Sequence, residues 1–181
     1  IWVLRFHSES FMSEEENAPA SKKDGDIPVT SSADLCKITV EMAGLCRHRL
    51  DIVSRSLEPM VYDSQGFLDA VKKLMVTNRG RVRIIVLDPS TLISRSGHRL
   101  IELALRLSSY MEIRRPGEHH AGFNEAMLIA DRLMVVHRKY SDRYEGMANF
   151  HAPRLAYSLT ENFEAIWQNA ETIPDFRRLM L

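Results

Sequence analysis

The spacing of apolar residues divides the chain into helices and strands before any motif is sought. Leu35, Ile38, Met42 and Leu45 recur at intervals of three and four, and Ser31-Ser32-Ala33-Asp34 supplies capping side chains ahead of them. That pattern predicts a first helix over about residues 32–49. Residues 50–57 partly alternate and end at Glu58-Pro59, as a strand running into a turn does. Phe67, Leu68, Val71, Leu74 and Met75 mark a second helix, closed at Asn78-Arg79-Gly80. Residues 81–87 form the clearest strand, rich in β-branched side chains and apolar enough to be covered on both faces. A helix over about 97–108 carries Leu100, Ile101, Ala104 and Leu107 on one face, and a short strand over 110–114 follows. Two apolar runs, 126–130 and 133–137, flank Asp131-Arg132 and read as a hairpin. Leu155, Leu159, Phe163, Ile166 and Trp167 define a last helix, with Phe163 and Trp167 expected to be buried.

Strand, helix, strand, helix, strand implies right-handed crossovers and a parallel core, to which the hairpin adds antiparallel strands. The predicted fold class is α/β, with a mixed, largely parallel sheet flanked by helices. With 181 residues, one core is the expectation. Met12-Ser13-Glu14-Glu15-Glu16 reads like an ordinary bacterial N-terminus, and residues 1–11 are set aside as upstream sequence. Acidic and basic residues among Pro, Ala and Gly leave too few apolar groups before residue 30 to build structure. Residues 1–30 are therefore assigned to a tail and 31–181 to the domain.

Charge narrows the partners. Lys plus Arg and Asp plus Glu each number 24, so no net field draws the whole chain to a polyanion, which argues against nucleic acid and membranes as partners. Arg79, Arg81 and Arg83 could form a patch at one strand start, but the reading favoured is that such cations pair with Glu112, Glu118 or Asp63. Cys36 and Cys46, on one helix, would lie about 15 Å apart along its axis, too far for a disulfide. Two reduced thiols suit a cytoplasmic location.

Motifs for chemistry are sparse. Asp88 sits past the carboxyl end of the best strand, where open α/β sheets place ligand crevices, and Ser94, Arg95, His98 and Arg99 follow it towards a helix start. A phosphate-bearing ligand is the candidate there, and Asp88 with His98 is the candidate acid–base pair should the chain be an enzyme. A triad of Asp51, His98 and Ser54 or Ser56 has no nucleophile elbow. Adjacent His119 and His120 cannot both ligate one ion from a regular element. No phosphate loop or dinucleotide fingerprint is present. No cofactor is expected.

The hairpin, running from Asn124-Glu125-Ala126 through Asp131-Arg132 to Val135-Val136, together with Asn162-Phe163-Glu164-Ala165-Ile166-Trp167 in the last helix, resembles one phospholipase D repeat over roughly residues 50–170. In that superfamily the signature is His-x-Lys, a spacer, Asp, a second spacer, then Gly-Ser-x-Asn, with the His as nucleophile and the Lys and Asn holding phosphate. Here Phe123 stands at the His, Glu125 at the Lys, Ala130 at the Asp, His137 and Arg138 at the Gly-Ser, and Tyr140 at the Asn. Sliding the frame by one recovers Asp131 but leaves Asn124 and Ala126 for the His and Lys. The resemblance therefore implies a domain of this superfamily that binds a ligand or a protein without cleaving phosphodiesters. It also implies pairing of repeats in a homodimer, and the two-faced apolar hairpin asks for cover in the same way. The chain is similar as well to bacterial domains that accompany acetyltransferases, which suggests an accessory role as an alternative.

Overall fold

The computed structural model describes residues 25–94, 97–174 and 176. Its elements are β1 (Ile27–Val29), α1 (Ser32–Leu45), β2 (Arg49–Ser54), α2 (Pro59–Tyr62), α3 (Gln65–Val76), β3 (Arg81–Val86), α4 (Ser90–Ser94) and α5 (Arg99–Arg106). They continue with β4 (Met111–Arg115), β5 (Ala126–Ala130), β6 (Met134–Arg138), β7 (Gly146–Asn149), α6 (Pro153–Gln168) and β8 (Glu171–Thr172). The strands make one sheet in the order β1-β7-β6-β5-β2-β3-β4-β8. β2, β3 and β4 are parallel and every other pairing is antiparallel. The sheet is mixed, as the order of elements predicts, with two parallel pairings rather than the parallel majority expected.

Alternation along the strands sorts the core into two layers. Ile52, Ile84, Val86, Leu128 and Val136 face a large cluster built with α1, α3 and α5. Val53, Ile85, Met127, Ile129 and Val135 face a smaller one closed by Ala156, Leu159, Phe163 and Ile166 of α6. Met127, Leu128, Ile129, Met134, Val135 and Val136 are all buried within this one chain. The physical argument for a dimer, an uncovered hairpin, is thereby removed.

Local chemistry sets the boundaries. Ser31 caps α1, its hydroxyl accepting from the Asp34 backbone N–H at 3.1 Å and donating to the Asp34 carboxylate at 2.8 Å. α1 stops at Leu45, short of the predicted 49, because Arg49 already belongs to β2. The predicted helix over 97–108 becomes α5, with α4 ahead of it. β1 lies inside the stretch assigned to a tail: Ile27 pairs with Ala148 and Asn149 donates to Asp26 at 2.9 Å, so the folded part begins before residue 31. Three residues that include a proline carry too little strand signal to be seen in sequence. Cys36 and Cys46 are free thiols, and burial, reinforced by the Asp131 carboxylate, pushes the Cys46 thiol up to about 12.

Asp131 ties the hairpin turn to the start of β2. It adopts φ 52°, and its carboxylate accepts from the backbone N–H groups of Arg47 at 2.7 Å, His48 at 2.8 Å and Arg49 at 2.9 Å. Burial works against its charge, but these N–H groups prevail and hold the carboxyl below its ordinary value. A carboxyl depressed on folding contributes stability above its unfolded value near pH 3.9, and that contribution is lost as pH falls through the folded value. Asp131→Asn, whose amide tolerates the left-handed backbone, is expected to cost about 1–2 kcal/mol at pH 7 after discounting for partial exposure. Urea denaturation at pH 7 and pH 3 should show the gap between variant and parent narrowing in acid; a constant gap would show that the charge is not responsible.

Candidate functional site

β2 ends at Ser54, beside the start of β5 and the end of β6, and these ends gather the positions at which a phospholipase D signature would fall. The Ser54 hydroxyl accepts from the Leu57 N–H at 3.0 Å and donates to Glu58 at 2.7 Å. The other Glu58 oxygen accepts from Arg138 at 2.9 Å, and Arg138 also donates to the Arg143 carbonyl at 2.7 Å. Arg138 is only 2% exposed. Tyr62 closes the cluster; burial raises its phenol, Glu58 adds to the shift and Arg138 opposes it. The strand register places Arg138 directly across from Ala126. The cation that enters this edge is thus held by a carboxylate of the same chain.

The remaining signature positions serve packing or pair locally. Phe123 packs on the α6 cluster, and Ala130 is fully buried at the far end of β5. Glu125 bonds the His137 ring at 2.6 Å, a half-exposed carboxylate–imidazole pair. Tyr140 is exposed, with Arg143 stacked 5.1 Å from its ring centre. Asn124 accepts from the Ser141 hydroxyl at 2.7 Å. None of these places two cations around a common point.

The crevice candidates after β3 are similarly engaged. Asp88 accepts from the Ser90 N–H at 3.2 Å and from its hydroxyl, and the hydroxyl bond holds the carboxyl below its ordinary value. Arg99 donates to Asp63 at 2.9 Å and to Gln65 at 2.8 Å, so its fork turns towards the start of α3. The His98 ring is buried and reaches the Leu57 carbonyl at 2.9 Å through Nε2, leaving Nδ1 without a partner among the described residues. Ser94 closes α4, and Arg95 lies outside the described residues. Among the described residues no group of three metal-ligating side chains converges.

A second buried network lies under α6. Arg83 donates to Asp51 at 2.8 and 3.0 Å and to Glu164 at 3.1 and 2.7 Å, while Arg49 stands 3.6 Å from Glu164. Phe163 and Trp167 stack at 5.6 Å with Arg83 over both rings, and Arg114 lies 4.3 Å from the Trp167 ring centre. Burial pushes the Asp51 carboxyl up against the pull of Arg83. The Arg83 guanidinium loses by burial but is raised overall by its bonds to Glu164 and Asp51. Arg83 therefore pairs as expected of a structural cation, though with Asp51 and Glu164; Glu112 takes Arg114, and Asp63 takes Arg99. Charged residues inside apolar strand runs, Asp51 and Arg83, were the sequence signal for this network.

A parallel core, a β5–β6 hairpin beside it and one helix over the hairpin face make a fold similar to that of phospholipase D family structures. The chain belongs to the family described as a domain of unknown function, DUF7931, whose model matches residues 31–179. No curated protein matches it. Nuc from Salmonella typhimurium, a phospholipase D family member, is similar with a TM-score of 0.58 and 12% identity over 82% of this chain and 97% of that one. NucT from Helicobacter pylori is similar with a TM-score of 0.58 and 10% identity, over 82% and 99%. TrmBL2, an archaeal chromatin protein with a novel mode of DNA binding, is similar with a TM-score of 0.64 and 17% identity over 88% of this chain. This chain spans 57% of TrmBL2. The exclusion of nucleic acid, drawn from net charge alone, is overturned by this last likeness: the fold occurs in a DNA-binding protein. No helix among the described residues is long and apolar enough to cross a membrane.

Proposed function

We propose that this chain is a non-catalytic module of phospholipase D fold that acts by binding. The observation that carries the reading is the closed Ser54–Glu58–Arg138 network at the strand ends. Phosphodiester cleavage needs a nucleophile in line and unopposed cations on the equatorial oxygens. Here Phe123 stands at the nucleophile position, Glu125 at a cation position, and the guanidinium that does enter the edge is neutralised by Glu58. An incoming phosphate would have to displace that carboxylate from a buried arginine. TrmBL2 shares the fold and binds DNA, which makes nucleic acid the first partner class to test.

The purified chain is expected to release no p-nitrophenol from bis(p-nitrophenyl) phosphate, and Phe123→His with Glu125→Lys is expected to add none, because Arg138 stays closed on Glu58. Turnover by the parent that disappears in His137→Ala or His98→Ala would replace this reading with an enzyme. His137 is included because its ring is hydrogen-bonded to Glu125, a pairing in which an imidazole can act as acid or base.

A further inference from the structure

The opposite, amino edge of the parallel strands is built differently. Three neighbouring connections there are tied together: α1 to β2 over residues 46–48, α3 to β3 over 77–80, and the β5–β6 turn over 131–133, with the α5–β4 connection (Tyr110) and the β7–α6 connection (Phe150) on either side of them. They carry Arg47, His48, Arg79 and Arg132, and Arg81 opens β3. All five side chains are exposed. The one carboxylate in these segments, Asp131, is directed at the N–H groups of Arg47, His48 and Arg49 and so neutralises none of the guanidiniums. Glu164 and Asp51 nearby are held by Arg83. Among the described residues, no salt bridge engages Arg47, Arg79, Arg81 or Arg132.

The backbone beneath these side chains is fixed. The Arg81 N–H donates to the His48 carbonyl at 2.9 Å, the Asp131 N–H to the Arg49 carbonyl at 2.9 Å, and Asn78 to the Cys46 carbonyl at 3.3 Å. The three connections therefore move as one body, at strand spacings of about 4.8 Å. An independent observation points the same way. Arg79 and Arg132 adopt φ 56° and 57°, a left-handed conformation in which glycine or asparagine is favoured. Two arginines held at strained turn positions, neither in a salt bridge among the described residues and Arg132 acting on Glu164 only through its field, fit a side-chain role outside the chain.

We infer that the amino edge of the sheet, through Arg47, Arg79, Arg81 and Arg132, is a contact surface for the phosphate backbone of a nucleic acid. A guanidinium fork matches a phosphodiester better than any other side chain does, and a rigid row of forks meets the regular charge spacing of such a backbone. The three segments themselves hold no Phe, Tyr or Trp to stack on a base or anchor in lipid, so the recognition inferred is of the backbone and independent of sequence. A chain of zero formal net charge can present this face because its carboxylates are engaged or lie elsewhere. The inference names the partner of the binding module proposed above and rests on that reading.

Fluorescence anisotropy of a labelled DNA duplex tests it. With about three phosphates neutralised, affinity should fall about 40-fold between about 50 and 200 mM salt. The triple variant Arg47→Gln, Arg79→Asn, Arg132→Asn should bind at least about tenfold more weakly and with a flatter salt slope. Because asparagine suits the backbone at 79 and 132, its melting temperature should not fall, which separates lost contact from lost fold. The control Lys72→Gln, Arg106→Gln, in the groove between α3 and α5, should bind like the parent. Equal binding by triple variant and parent would overturn the site while leaving a binding module. Absence of duplex binding, or capture by phosphatidylserine vesicles in its place, would overturn nucleic acid as the partner, and cleavage of the duplex would overturn the non-catalytic reading itself.

Discussion

Arg83→Met is expected to destabilise the fold by about 3–5 kcal/mol, the range for stranding one partner of a buried ion pair. Asp51 is 1% exposed and receives two bonds from this guanidinium, and Glu164 receives two more. Methionine fills similar volume but strips the buried Asp51 carboxylate of its hydrogen-bonded counter-charge and leaves it only the field of Arg49. Arg83→Met combined with Asp51→Leu should recover most of the loss, since an apolar pair of similar size is tolerated where half an ion pair is not. Urea denaturation of parent, single and double variants at pH 7 measures this. A single-variant loss below about 1 kcal/mol would mean that water reaches Asp51 freely.

Phe163→Ala is expected to cost about 3–5 kcal/mol, the range for truncating a fully buried aromatic. Phe163 is 0% exposed, lies centrally in the small layer and supports both α6 and the Arg83 guanidinium, whose centre is 4.7 Å from its ring. Trp167, one turn on, is only partly buried and acts as a platform for Arg83 and Arg114. Trp167→Ala should therefore cost less, about 1–2 kcal/mol. Thermal melts of the two variants decide: a larger loss at Trp167 would mean that α6 seats differently on the sheet.

That contrast shows what periodicity can read. The helical spacing of Leu159, Phe163 and Ile166 marks the buried stripe of α6, but Trp167 and Leu155 share the apolar pattern and stand at its margins, Leu155 being 37% exposed. Long β-branched runs such as 81–87 declare themselves because their covering on both faces demands it. β1, β7 and β8 do not, since two to four residues paired at a sheet margin need no apolar pattern of their own. That Phe123 and Glu125 differ from the signature of the superfamily the hairpin resembles was legible directly, as an expectation. The closure of Glu58 on Arg138, residues 80 apart, was not, because it depends on register across β5 and on where α2 begins. The amino-edge arginines were visible only in part. Arg79 and Arg81 are neighbours in sequence, whereas Arg47 and Arg132 join them through Asp131, a contact that spans more than eighty positions.

The two margins of the sheet also set how the protein behaves at high concentration. β1 offers three residues, of which Pro28 has no N–H, and β8 offers two. Neither gives an incoming chain the long, flat row of free donors and acceptors on which fibrillar growth is templated. The long strands that could serve as templates, β2, β3, β5 and β6, are each hydrogen-bonded on both sides. Among the described residues the rims of the sheet are thus guarded by brevity rather than by charge, and replacing Pro28 would remove part of that protection without touching the core.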